Sequence, residues 1–298
     1  MSAVTVQDIA PPGVREEFRR FLVADLRFAA GRPGVRTALV VWVLQIMVFA
    51  YLIPFVMYRT MKNTLQPDVA ANMWAVLQTS AVGPYTLASA PLYGLPVGVA
   101  VGALVVTGDY RNQTMPILVG RLERRWVLVA SRFVVAVVVA FALAVASIVT
   151  GMVMAWLIGL FGGGNGSDWD PGSLLAGLMA SWLSLGSYAV VGAALGFLTR
   201  NLMTSTLLAL GWVVGVEQLG IGMLSGAIGF FAALRRGLLS TNTGSLAGAL
   251  DRDGALAAQG SLGPNTVNSA GTAVVVLLLW MVVALVVSLV SFRQRDLQ

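Results

Sequence analysis

The chain has 298 residues, of which 57% are apolar and only 11% charged, with a mean hydropathy of +0.82. Soluble domains carry about a quarter charged residues, so this composition excludes a soluble enzyme, a disordered tail and a nucleic-acid-binding domain, and the net charge of +6 reads as a membrane topology signal. With no Cys and no His, disulfides, zinc sites, thiolate nucleophiles and imidazole acid–base chemistry are excluded too.

Residues 1–36 form an N-terminal segment. Pro11, Pro12 and six Arg precede any apolar run, which is not the pattern of a signal peptide. Within it, residues 14–30 read as an amphipathic helix. Val14, Phe18, Phe21, Leu22, Phe28 and Ala29 recur at helical spacing beside Arg15, Glu16, Arg19, Arg20 and Arg27. An apolar stripe with an Arg-rich flank suits a membrane interface with anionic headgroups.

A span takes about 20 mostly apolar residues to cross about 30 Å of hydrocarbon. Six stretches qualify, at about 37–58, 84–106, 126–160, 174–198, 204–224 and 273–292, followed by a short tail, 293–298. The third is too long for a perpendicular helix. None alternates as a barrel strand does. The expected fold is therefore an all-α integral membrane protein. An even number of spans places both termini on one side. Fourteen basic residues fall on the side of the termini and five, Arg59, Lys62, Arg235, Arg236 and Arg252, on the other. That imbalance predicts cytoplasmic termini in a plasma (inner) membrane.

Two outer segments, 59–83 and 225–271, are long. In the first, a short apolar stretch at 73–77 is expected on the surface. In the second, 226–234 is apolar but too short to cross and is expected to dip in and return, while 241–270 reads as an exposed loop. Asn165-Gly166-Ser167 matches a glycosylation sequon, and a Gly-rich turn explains it equally well.

No Walker A pattern occurs, and the single Lys lies in an outer segment, so the chain itself is not expected to be an enzyme or to bind a nucleotide. Glu217 is the one carboxylate inside a span, 13 residues after Thr204 and so about 20 Å from the inner end. An intramembrane charge usually faces a cavity or a partner. It is read either as a pathway or gate contact, or as a helix-end residue bonded to the backbone of the 226–234 dip. Small residues recur every fourth position: Gly94, Gly98 and Gly102, then Gly192 and Gly196, then Gly211 and Gly215. Gly permits close helix contact, so these are read as packing positions. Pro54, Pro84, Pro91 and Pro96 are candidate kinks.

The inner loop 108–132 is too polar at its ends to face lipid and too apolar in its middle to be a free loop. Met115, Ile117, Leu118 and Val119 predict one short apolar helix face, flanked by Arg121, Arg124 and Arg125. Such a knob suits a groove on a soluble partner. A basic loop that only enforces orientation is the plainer reading.

At this loop the sequence resembles the ABC type-2 permease family, the transmembrane subunits of ABC exporters. That family carries an acidic residue, an aromatic and a basic residue after the second span, Gly-Thr soon after, then Ser-Arg and Lys. Asp109, Tyr110 and Arg111 open the pattern here; Thr114, Arg125 and Arg132 follow at the family's spacing. The departures are Asp109 for Glu, Gln113 for Gly, Arg124 for Ser and Arg132 for Lys, and Gln113 costs the turn its flexible residue. The motif covers about 24 residues; six spans, an amphipathic N-terminal helix and a long segment between spans five and six extend the likeness.

The resemblance implies a half-transporter. Two permeases, identical or homologous, pair on two copies of a separate ATPase subunit that holds ATP and Mg; this chain holds no cofactor. Asp109, Tyr110, Arg111, Thr114, Ile117, Leu118, Arg121, Arg124 and Arg125 would form the coupling element, and the cargo would be an apolar or amphipathic compound such as a drug, an antibiotic or a lipid-like molecule. A secondary transporter or channel, and a non-transporting scaffold subunit, are the alternatives. No internal repeat supports the first.

Overall fold

The structure, a computed structural model, describes residues 13–93, 95–121, 124–162, 169–252, 254, 256 and 266–294. Those residues are predominantly helical and contain no strand. Among them, five helices are long and apolar enough to cross a membrane, as in an α-helical membrane protein. They are α2 (Pro33–Met61), α7 (Arg125–Gly162), α8 (Pro171–Thr199), α9 (Leu202–Gly222) and α12 (Ala270–Gln294). The remaining helices are α1 (Val14–Gly31), α3 (Pro67–Ala75), α4 (Val82–Tyr93), α5 (Leu95–Arg111), α6 (Met115–Arg121), α10 (Gly229–Arg235) and α11 (Leu239–Leu250).

The expected second span falls on α4 and α5, which flank Gly94. Gly94 itself lies outside the described residues.

Helix α8 is the hub, packing against α4, α5, α7, α11 and α12. Its first turn is capped by Asp170, which accepts from the Gly172 amide at 2.9 Å, with Pro171 at the first helical position. The approach of α5 to α8 depends on glycine at two places. A methyl group at Gly102 would overlap the Ala189 carbonyl, and one at Gly192 would overlap the Val99 carbonyl. The expected packing role therefore holds for Gly102, and for Gly98, which abuts the Tyr188 Cβ. It does not hold within this chain for Gly211 and Gly215: both face open space on the exposed side of α9.

Helix α2 contains a wide π-helical stretch, Ile46–Leu52, just before Pro54. Proline has no N–H to return to the carbonyl four residues back. That carbonyl, Ala50, instead accepts from the Tyr85 hydroxyl of α4 at 2.5 Å. Trp42 ties α2 to α7 by donating to the Leu143 carbonyl (3.1 Å) and to Ser147 Oγ (2.9 Å).

Three surface expectations are corrected. Residues 73–77 do not stay on the surface: Val76 and Leu77 are fully buried against α7 and its neighbours. The 226–234 stretch does not dip into the bundle. It forms most of α10, which buries none of its residues and leaves Phe230 69% exposed. The segment that enters is α11, in what reads as a loop, packed against α4, α8 and α12. Much of its polarity is met: Ser245 Oγ donates to the Thr241 carbonyl (2.9 Å), Asn242 Nδ2 to the Leu238 carbonyl (2.6 Å), and Ser240 Oγ to Glu217 of α9 (2.6 Å). A helix of small residues whose polar groups are mostly bonded buries at a reduced penalty. The sequon at 165–167 lies outside the described residues.

Candidate functional site

The loop after α5 begins with a helix stop. The Thr114 amide donates to the Asp109 carbonyl (3.0 Å) and the Gln113 amide to the Tyr110 carbonyl (3.2 Å). This nested pair is a Schellman motif, and it puts Gln113 at the left-handed position, φ 56°. The place where the permease pattern has Gly is thus the place where the backbone favours Gly. Thr114 also closes the turn with its hydroxyl on the Asp109 carbonyl, and its own carbonyl opens α6 by accepting from the Leu118 amide.

Helix α6 does not present a single outward apolar face. Met115 is buried in the core and Leu118 packs against it, while Ile117 is 58% exposed. A seven-residue helix turns 115 and 118 to one side and 117 away. Arg124 is exposed, as is Arg111. The side chains of Val119, Arg121 and Arg125 lie outside the described residues.

Asp109 does not face outward. It is 2% exposed and stands between two guanidiniums, Arg32 Nη2 at 2.9 Å and Arg132 Nη2 at 2.6 Å. Arg132, on α7, also pairs with Asp25 of α1 at 3.2 Å, and Ser131 Oγ donates to Asp25 at 2.8 Å. Arg32 donates as well to the Leu104 carbonyl at 2.6 Å. Four elements, α1, the start of α2, the end of α5 and the foot of α7, are therefore joined by one buried alternating chain of charge. Burial raises the Asp25 carboxyl above its usual range against the pull of Arg132 and Ser131, and lowers Arg32 against the support of Asp109.

Asp25 and Arg32 are the residues the pattern reading misses. The signal for Asp25 lies in the periodicity: it falls on the same helical line as Phe18, Phe21, Leu22 and Ala29, where a carboxylate needs a partner. The inward face of α1 is Glu17, Asp25 and Ala29, while Phe28 faces outward.

Glu217 lies in the π-helical part of α9, Gly211–Gly222, and is buried. Its Oε2 accepts from the Ser240 amide (3.0 Å) and hydroxyl (2.6 Å), and its Oε1 from Trp212 Nε1 (2.9 Å). Ser240 is in the first turn of α11, whose N-cap, Leu238, supplies no side-chain bond. Glu217 therefore serves as a remote cap, meeting a free amide and the positive end of a buried helix. The backbone partner belongs to α11 and not to the 226–234 stretch. Beside it, a cavity of about 370 Å³ is lined by Tyr188, Trp212, Leu239, Trp280 and aliphatic side chains of α5, α8 and α9.

No family model matches the chain, and no curated protein matches its sequence.

Proposed function

We propose that the chain is the permease subunit of an ATP-driven exporter, with α4 and α5 completing a sixth crossing and both termini in the cytoplasm. The observation that carries this reading is the buried chain Arg32–Asp109–Arg132–Asp25. It fastens the interfacial helix α1 and the end of α5, from which the loop leaves, to the foot of α7, so a force on the loop would reach the spans as a unit. Ile117 and Arg124 offer an exposed apolar and basic surface to an ATPase subunit, and Arg121 and Arg125 are close to them in sequence. The open face of α9 around Gly211 and Gly215 would receive the second permease, since close backbone approach is what glycine permits. The cavity beside Glu217, apolar with two indole edges, suits an apolar or amphipathic cargo.

The test is copurification with an ATP-hydrolysing subunit, followed by measurement of ATPase stimulation. Arg121→Glu with Arg125→Glu is expected to abolish both. Retention of both in that variant would remove the coupling reading, and transport by the purified chain without any ATPase would remove the exporter reading.

A further inference from the structure

A second cavity, about 920 Å³, opens at the α1 end of the bundle and shares only Arg32 with the ion chain described above. It is bounded by helix ends only: the last turn of α1, the start of α2, the end of α5 and the turn between α8 and α9. This is the level at which apolar runs give way to polar chain, which in a membrane is the level of the headgroups.

Four arginines line it, Arg27, Arg32, Arg111 and Arg200, and no carboxylate does among the described residues. Arg32 is compensated by Asp109. The other three form no ion pair among the described residues. Arg200 lies 5.6 Å from the Tyr110 ring centroid, and it occupies the left-handed position that ends α8, φ 57°. Glycine is the usual residue there; arginine in its place adds a charge to the cavity wall. Phe28 and Leu202 give the same wall an apolar part.

We propose that this cavity binds a phosphate-class anion at the membrane surface, the headgroup of an acidic lipid or lipid-like molecule. Guanidinium groups match phosphate oxygens in pairs, and uncompensated positive charge beside low-dielectric walls concentrates anions. The volume exceeds a bare phosphate and fits a headgroup with the first carbons of its chains. The site rests on the membrane setting alone and is independent of ATP-driven export.

The test is native mass spectrometry of the full chain in neutral detergent, with phosphatidylglycerol, phosphatidylcholine or inorganic phosphate as probe. Phosphatidylglycerol adducts are expected to exceed phosphatidylcholine adducts at equal concentration. Arg27→Gln with Arg200→Gln should weaken phosphatidylglycerol retention roughly thirtyfold, and Arg27→Lys with Arg200→Lys should restore most of it. Arg15→Gln with Arg19→Gln, outside the cavity, should leave it unchanged. If the double Gln variant aggregates, Arg27→Gln alone, on an exposed side chain, carries the comparison. Adducts of inorganic phosphate that block the lipid would keep the anion site and assign it to a soluble phosphate. Equal retention of both lipids, or retention unaltered in the Gln variants, would overturn the proposal.

Discussion

Asp109 and Arg132 stand 23 positions apart, at the two ends of the loop that holds α6, and their side chains meet at 2.6 Å. The contact closes that loop from within. A buried pair of this kind adds little net stability over an apolar pair, but removing one member strands the other charge at about 3–5 kcal/mol. Arg132→Met is expected to lower stability by that order, and Asp109→Asn combined with it by clearly less than the sum of the single changes. A double-mutant cycle on thermal unfolding in detergent checks this.

Gln113 occupies a backbone position made for glycine. Gln113→Gly should leave unfolding unchanged or slightly delayed, because relief of left-handed strain, about 1–2 kcal/mol, offsets the added freedom of the unfolded chain. Gln113→Val should destabilise by at least about 1 kcal/mol. Thermal unfolding of the two variants side by side decides it.

The cap on α11 gives Glu217 a structural signature separable from transport. Glu217→Leu leaves the Ser240 amide and the Trp212 indole N–H without acceptors, at about 1–3 kcal/mol each. Glu217→Gln keeps one acceptor oxygen and should lose less. If the carboxylate only caps, the Gln variant transports normally and only its stability falls. If the charge contacts cargo, transport drops while the Trp212 emission stays close to that of the parent.

Asp25 gives the fold a predictable pH response. Its folded carboxyl titrates above 3.8 because burial outweighs its partners. The folded state thus holds the proton more tightly than the unfolded one, so this group favours folding below about 3.8 and loses that contribution as pH rises through the raised value. The stability of the parent relative to Asp25→Asn should therefore fall as pH increases across that window. A parent advantage that grows with pH would contradict it.

Five of the six expected spans coincide with long apolar helices among the described residues, because crossing a membrane imposes a length and a hydropathy that the sequence reveals. The short helix at 115–121 was legible from its apolar run. What stayed hidden depends on pairing between distant positions. Arg132 and Asp109 fit a local pattern; that Arg132 would also meet Asp25, more than a hundred residues away in sequence, was not legible there. Helix α11 was misread for a related reason. Ser, Thr, Asn and Gly look like loop in a window average, yet Ser245 and Asn242 bond helix carbonyls and Ser240 meets a carboxylate of α9. The apolar 226–234 stretch failed in the opposite sense, because membrane surfaces welcome exposed Phe and Ile as readily as a protein interior does.

Helix α7 is 38 residues long, and its first 26, Arg125 to Thr150, contain neither Pro nor Gly. Its neighbour α2 differs, carrying a wide turn before Pro54. A tilt imposed at Arg132 would travel along a stiff rod to the level of Trp156, about 36 Å away, whereas an equal push on α2 would meet its wider coil first. The buried arginine thus sits at the foot of the stiffest long element among the described residues.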